Sequence, residues 1–520
     1  MGWRAASVAA LAGGLVLAAC APTPPGGPAP RRATLAAVVD SVTNSPPLDR
    51  THWGIEVYDP VSRRTLLALN PERHFIPASN MKLVVTAVAL AELGPDYRYR
   101  TELAARRAPG DSVAELLVVV GRGDPTWSER FHDHPWAPAD SLADSVALAG
   151  IRRVRGELVV DASYFDRELV HPTWEVGDLD YGYAAPVAAF AVEEGTFRTE
   201  VVPGPAVGEP ARVTALAPPG AVVILNRLVT DTAGARRRIE VSRRVGSDTL
   251  TLSGSVPLDA APDTLRLAVG DPALYAARVL AAALDARGIE VEGGVRVVYD
   301  PAEAAALRTG SGAADGVLDS AAAATGTGEQ GAPPLVPIAS WTSAPLAEIV
   351  AAILKPSQNW IAEMVLKTLG AERGEGGTWA AGLEVERRYL FDVVGIDSTA
   401  VVLRDASGLS AQNLLTPRAI VQLLEHARRM PWGPVYRAAL AVPGEKDGTL
   451  ERRLVALEGR VFAKTGTIAH VNSLSGYLTT ASGGELVFSI LSNASGRPAA
   501  EVRRAIDAIV NTAADQGGGP

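Results

Sequence analysis

Two stretches of one texture stand far apart in the chain and enclose a long middle of another. Near the start, Gly54–Tyr58 and Thr65–Leu69 are strand-like runs around a short turn, and the pattern predicts a hairpin. An apolar helix is expected after it, over 81–93. From Ile338 onward the periodicity is helical, over roughly 345–370, 376–393 and 416–428. Strands are then expected over 473–479 and 485–491, joined at Ser482-Gly483-Gly484. A closing helix over about 498–514 carries Val502, Ile506 and Ile509 on one face. Between these ends, strand-like runs such as Gly156–Val160, Ala221–Leu225 and Arg238–Val241 alternate with turn clusters, with helical stretches near 140–149 and 272–287. The economical reading is one domain, 34–98 plus 338–512, interrupted by an insertion over 99–337 of two subdomains, with a tail over 513–520. Residues 303–334, rich in Ala, Gly and Ser, read as a surface loop or linker.

The chain is 47 % apolar and 21 % charged, which suits a globular protein. Its formal net charge of −9 lacks the basic footprint that nucleic-acid binding needs, so no nucleic-acid partner is expected. A single cysteine excludes an intramolecular disulfide framework and a Cys-cluster metal site. Lysine is rare: Lys82, Lys355, Lys367, Lys446 and Lys464 are five among 49 basic residues. Arginine keeps its charge, whereas a buried or crowded lysine can lose its proton, so these positions merit location.

Met1–Arg4 gives a positive start, and Ala5–Val16 is an apolar run too short to span a bilayer permanently. Leu17-Ala18-Ala19-Cys20 follows. Residues 1–19 read as a secretory signal whose end resembles the bacterial lipoprotein signal. That resemblance implies cleavage before Cys20, a diacylglyceryl group on its sulfur, and attachment to a membrane in the periplasm or cell envelope. The Pro-rich stretch Ala21–Pro30 reads as an extended spacer, making 20–33 a linker.

Three short patterns carry chemistry. Ser79 and Lys82, in Pro77-Ala78-Ser79-Asn80-Met81-Lys82, are three apart at a helix start and share a face. A serine hydroxyl is a weak nucleophile that needs an adjacent base. Lysine serves if desolvation or a nearby cation lowers its pKa, and a helix N-terminus offers a backbone N–H to an oxyanion. Lys464-Thr465-Gly466 ends the apolar run Arg460–Ala463. On a strand edge Lys464 supplies a point charge for a carboxylate and Thr465 a hydroxyl, while Gly466 lets the backbone approach a ligand closely. Ser357-Gln358-Asn359 stands at a helix start, where Ser and Asn are ordinary caps; its weight comes from its place between the other two. His132-Asp133-His134 reads as two exposed loop histidines rather than a metal site, and Asp124 as a turn former.

In this order S-x-x-K, S-x-N and K-T-G resemble the active-site set of the penicillin-recognising serine enzymes. Ser79 and Ser357 are 278 positions apart. Class A β-lactamases keep these motifs closer, and a long insertion there resembles the class C low-molecular-mass penicillin-binding proteins, which are D-alanyl-D-alanine carboxypeptidases and endopeptidases. Gly123–Thr126, Asp161–Asp166, Tyr183–Pro186, Asp405–Ser410 and Pro443–Leu450 are similar to that family as well. Ala191-Val192-Glu193-Glu194-Gly195-Thr196 departs from it, standing where the family usually has an asparagine-containing strand.

The resemblance implies an α+β fold: a transpeptidase/β-lactamase-like domain, with an antiparallel sheet, flanking helices and a helical subdomain, interrupted by a large mostly β insertion. It implies peptidoglycan stem peptides as substrate, β-lactams as inhibitors, and no cofactor or metal. Ser79 is then expected to attack the carbonyl between the terminal D-alanines, and Lys82 to take its proton. Ser357 is expected to relay that proton to the leaving amine, with Asn359 orienting the site. Lys464 and Thr465, followed by Gly466, are expected to bind the terminal carboxylate, and Thr467 to lend its backbone N–H to the oxyanion. Two other readings stay open at this point: a serine β-lactamase, and a lipid-anchored wall scaffold with a vestigial site.

Overall fold

The computed structural model describes residues 34–108, 110–244, 247–309 and 335–515. The expected signal, Cys20 and residues 310–334 of the expected loop lie outside the described residues, whereas 303–309 belong to the helix Pro301–Thr309.

The two distant hairpins meet in one antiparallel sheet, in the order Val461–Ile468, Val471–Thr479, Glu485–Asn493, His52–Asp59, Arg64–Leu69. Residues 471–478 are all buried because layers cover both faces. Side chains of the strand divide with period two. Leu474 and Leu478 join Leu35, Val39, Val502, Ile506 and Ile509 from the helices Leu35–Asn44 and Ala499–Asp515. Ser473, Ser475 and Tyr477 face the opposite layer, and the small hydroxyls leave room there for a backbone turn.

That layer is built around the helix Lys82–Glu92, whose residues 82–90 are all buried. A helix apolar on every side suits this central place. The helices Leu346–Leu354, Asn359–Arg373, Trp379–Arg388 and Pro417–Arg429 pack around it. The helix expected over 345–370 is therefore two. Between them Pro356 lacks an N–H and Ser357 takes a left-handed φ of 66°, so the helical ladder breaks.

The insertion opens with Arg100–Arg106 and closes with Leu335–Thr342, which pair antiparallel. They are two strands of a mixed sheet ordered Val295–Val298, Leu158–Asp161, Leu116–Val120, Arg100–Arg106, Leu335–Thr342. The expected boundary at 337/338 thus falls inside a strand, and the hydrogen-bonded unit runs to Thr342. Three three-stranded sheets complete the insertion among the described residues: one around Thr196–Val202, one around Thr249–Pro257, and a short one of Val113–Ala114, Arg153–Val154 and Glu290–Val291. A sheet with flanking helices, a helical subdomain and a large mostly β insertion is the α+β architecture that the resemblance implied.

Candidate active site

The serine of S-x-x-K sits on a turn anchored from three sides. Asn493 Nδ2 donates to Ile76 O at 3.1 Å while its Oδ1 accepts from Ile76 N at 2.8 Å, so its side chain ties down the incoming chain. Ser473 Oγ donates to Pro77 O at 2.8 Å, and Asn80 Nδ2 donates to Ser475 Oγ at 2.7 Å. These bonds hold a tight turn, Ala78–Met81, with Ala78 at a left-handed φ of 48°. Such a conformation costs about 1 kcal/mol or more outside glycine and persists where the surroundings over-determine it. Two glycines press against the turn. A Cβ on Gly408 would lie 1.9 Å from Ala78 O, and one on Gly466 would lie 2.8 Å from Pro77 O and 3.0 Å from Ser79 N. Gly466 was expected to admit a ligand; its bare Cα admits the Ser79 turn.

Lys82 is wholly buried, and its Nζ meets three acceptors: Ser79 Oγ at 3.0 Å, Asn359 Oδ1 at 2.6 Å and Ser407 O at 2.7 Å. Burial pushes its pKa down to about 7, against the raising effect of the negative charges on Asp405 and Glu363. A large fraction of neutral amine therefore coexists with the hydroxyl near neutral pH.

Ser357 is not a cap, since Gln358 caps the following helix by accepting from Ile361 N at 3.3 Å. Its left-handed backbone turns Oγ to Lys464, whose Nζ donates to it at 2.7 Å and to Thr465 O at 2.7 Å. Burial, and then the nearby charge of Lys82, push Lys464 well below the usual ammonium range. Lys464 and Thr465 are buried in the edge strand of the sheet, while Thr467 is exposed and its hydroxyl donates to Gly466 O at 2.7 Å. The insertion reaches the site at Tyr183, whose carbonyl accepts from Asn359 Nδ2 at 2.8 Å. A cleft of about 580 Å³ is lined by Ser79, Tyr183, Ser357, Asn359, Gly408 and Thr467. A larger cleft of about 840 Å³, walled by Tyr164 and Tyr299, contains none of the motif residues.

The fold therefore brings Ser79, Lys82, Ser357, Asn359, Lys464, Thr465, Gly466 and Thr467 together, from segments up to 388 positions apart. Sequence reasoning assigned no role to the Ser407 carbonyl, Gly408 or Glu363. Gly408 and Ser407 lay inside a stretch noted only for its likeness, and Glu363 follows Asn359 by one helical turn, a spacing that could have flagged it. Asp124 is a buried turn former, its Oδ1 accepting from Thr126 N at 2.9 Å. His132 is half-buried rather than exposed, its ring edge-on to Trp341 at 5.3 Å. Among the described residues no cluster of His, Cys, Asp and Glu is arranged to hold a metal ion.

Residues 35–312 and 313–515 match the D-Ala-D-Ala carboxypeptidase 3 (S13) family. Over 473 residues the chain is 37 % identical to a D-alanyl-D-alanine carboxypeptidase of Actinomadura sp. (strain R39), a match covering 89 % of this chain and 81 % of that one. Its structure is similar to penicillin binding protein 4 (dacB) from Haemophilus influenzae, with a TM-score of 0.75 at 21 % identity, over 92 % of this chain and 99 % of that one. The same protein complexed with a β-lactam gives a TM-score of 0.71 at 20 % identity, over 92 % and 98 % of the two chains. At such identity the likeness establishes the fold.

Proposed function

The chain belongs to the D-Ala-D-Ala carboxypeptidase 3 (S13) family, as a class C low-molecular-mass penicillin-binding protein and serine D,D-peptidase, and from that premise we propose how its residues divide the reaction. Ser79 Oγ attacks the carbonyl between the two terminal D-alanines of a peptidoglycan stem peptide. Lys82 takes the hydroxyl proton across the 3.0 Å contact, steadied by Asn359 and Ser407 O. The backbone N–H groups of Ser79 and Thr467 receive the oxyanion. Ser357, held by Lys464, passes the proton to the departing D-alanine amine. Lys464 and Thr465 bind the terminal carboxylate, whose charge favours the protonated lysine. Water then hydrolyses the ester on Ser79, releasing the shortened peptide and restoring the hydroxyl. The same attack on a D-alanyl cross-link is an endopeptidase step, and attack on a β-lactam amide opens the ring and leaves a penicilloyl ester. One contact supports this division most directly: Lys82 Nζ against Ser79 Oγ beside a cleft that Ser357 and Thr467 also line.

The N-terminal pattern supports lipid attachment at Cys20, with 20–33 as a tether and a place in the periplasm or cell envelope. No described helix is long and apolar enough to cross a membrane. Mass analysis of the N-terminal peptide from the native host tests the lipid, and Cys20→Ala is expected to release the protein from membranes.

Intact-mass measurement with excess benzylpenicillin tests the catalytic assignment. One equivalent on Ser79, persisting for minutes to hours, together with D-alanine release from a peptide ending in D-Ala-D-Ala, is expected. Both are expected to vanish in Ser79→Ala. An adduct lost within seconds while the drug is consumed would make the protein a β-lactamase, and no adduct on folded protein would favour the scaffold.

A further inference from the structure

Glu363 is wholly buried one turn beyond Asn359 on the helix Asn359–Arg373, so the two side chains share a face. Its Oε1 accepts from Ser407 N at 2.8 Å, and its Oε2 accepts from Trp379 Nε1 at 2.8 Å and from Ala406 N at 3.3 Å. The carbonyl of that same Ser407 accepts from Lys82 Nζ at 2.7 Å. Both acceptors of Lys82 other than Ser79 thus hang from one helix: Asn359 directly, and Ser407 O through Glu363. We propose that Glu363 is the positioning residue of the Lys82 base, clamping the 406–407 backbone so that the Ser407 carbonyl meets Nζ, and presenting a buried negative charge to it.

The charged surroundings are consistent with this role. From the 405–410 loop comes Asp405, which accepts from Gly408 N at 2.9 Å, Ser410 N at 2.7 Å, Asn413 Nδ2 at 2.7 Å and Trp174 Nε1 at 2.9 Å. From the helix Trp379–Arg388 comes Glu386, wholly buried, with neither carboxyl oxygen hydrogen-bonded. Burial, and then the charge of Glu363, push Glu386 well above the usual carboxylate range. On the helix of Glu363 itself, Lys367 lies one turn further, its Nζ 3.8 Å from the centre of the Trp379 ring and bonded to Asp166 Oδ1 at 2.6 Å. His171 of the insertion packs its ring on Trp379 at 5.3 Å. Burial and the neighbouring Asp405 push Glu363 up to about 7, the range to which Lys82 is brought down. The negative charge of Glu363, with that of Asp405, raises Lys82 against its burial.

The inference rests on Lys82 being the base for Ser79, and the test separates the two. Acylation rates with benzylpenicillin are measured across pH on the full-length protein and on folded variants checked by circular dichroism. Glu363→Gln removes the charge, and it is expected to move the acid limb down by about one pH unit and to lower the plateau about tenfold. Glu363→Asp keeps the charge but withdraws it by one methylene, and it is expected to keep the midpoint and lose plateau rate. Glu386→Gln, a neutral exchange, is expected to leave both within about twofold. An unmoved acid limb in folded Glu363→Gln overturns the proposal. If the Gln variant does not fold, Glu363→Asp decides, and a parental plateau there overturns it equally. An adduct that persists in Ser79→Ala would instead overturn the underlying assignment.

Discussion

Lys464 and Ser357 meet across the cleft at 2.7 Å, the lysine from the edge of the sheet and the serine from a loop residue held at a φ of 66°. The left-handed backbone is what turns Ser357 Oγ toward the ammonium, so conformation and chemistry can be separated by substitution. Ser357→Gly is expected to be as stable as the parent or more stable by about 1 kcal/mol, because glycine adopts this φ freely. Ser357→Ala keeps the strain and gains no such benefit. Both are expected to acylate about a hundredfold more slowly, for want of the proton relay. Thermal melts and penicilloyl-adduct kinetics on the pair check this, and parental acylation in either variant would remove Ser357 from the mechanism.

Gly466 and Gly408 support the Ser79 turn by having no side chain. A Cβ on Gly466 would also meet Ser473 Oγ at 2.2 Å, displacing the hydroxyl that holds Pro77 O. Gly466→Ala is expected to cost about 1–3 kcal/mol and at least a hundredfold in acylation. Gly408→Ala, which combines the close approach with a φ of 77°, is expected to be the more destabilised. Gly483, at a φ of 86° with nothing within 4 Å, is the control. Its alanine variant is expected to lose about 1 kcal/mol and acylate normally. Equal acylation in all three variants would show that the turn tolerates displacement.

The pH dependence of acylation follows from Lys82. The base acts only when neutral, and burial brings its pKa to about 7. Below that pH the ammonium dominates and the rate is expected to fall about tenfold per unit; above it the rate levels off. Lys464 works in the opposite sense, because carboxylate binding needs its protonated form. With Lys464 held well below its ordinary range, KM for a D-Ala-D-Ala peptide is expected to rise on the alkaline side while kcat holds. A rate of penicillin acylation that is flat between about pH 5 and 7 would exclude Lys82 as the base.

Glu386 offers a stability test independent of catalysis. Its folded pKa is raised above the ordinary 4.5, so folding disfavours the ionised form. Below about pH 4.5 the group is protonated in both states and the penalty is absent. As pH rises above that value the unfolded chain ionises first, and folding loses about 1.4 kcal/mol per pH unit until the folded group ionises too. Glu386→Gln removes this dependence, so its stability advantage over the parent is expected to grow from acid to neutral pH. Urea titrations at two pH values check the sign, and an advantage that shrinks with pH would show that Glu386 is ionised in the fold.

Much of the site could be read along the chain because its chemistry is compact and rare. Lys82 stands three residues from Ser79, and Lys464 is followed directly by Thr465-Gly466, in a chain with five lysines. Hairpin turns and helical periodicity likewise marked both ends of the interrupted domain, since alternation and the 3.6-residue repeat are local properties. What those signals missed is equally specific. The apolar periodicity on either side of 355–359 reads as one helix, yet Pro356 and the left-handed Ser357 divide it in two, and the strand pairing at the end of the insertion runs on to Thr342, past the expected 337.

Motif spacing could nominate Lys82 as a base, but spacing carries no information on its surroundings. Its amine is desolvated because the helix Lys82–Glu92 lies at the centre of a layer assembled from distant segments. It is aimed by Ser407 O, 325 positions away, which is held in turn by Glu363. Local residue order was enough to identify the reacting groups. Their protonation and alignment depend on burial and on contacts between remote backbone atoms, and these exist only once the two ends of the chain share a sheet.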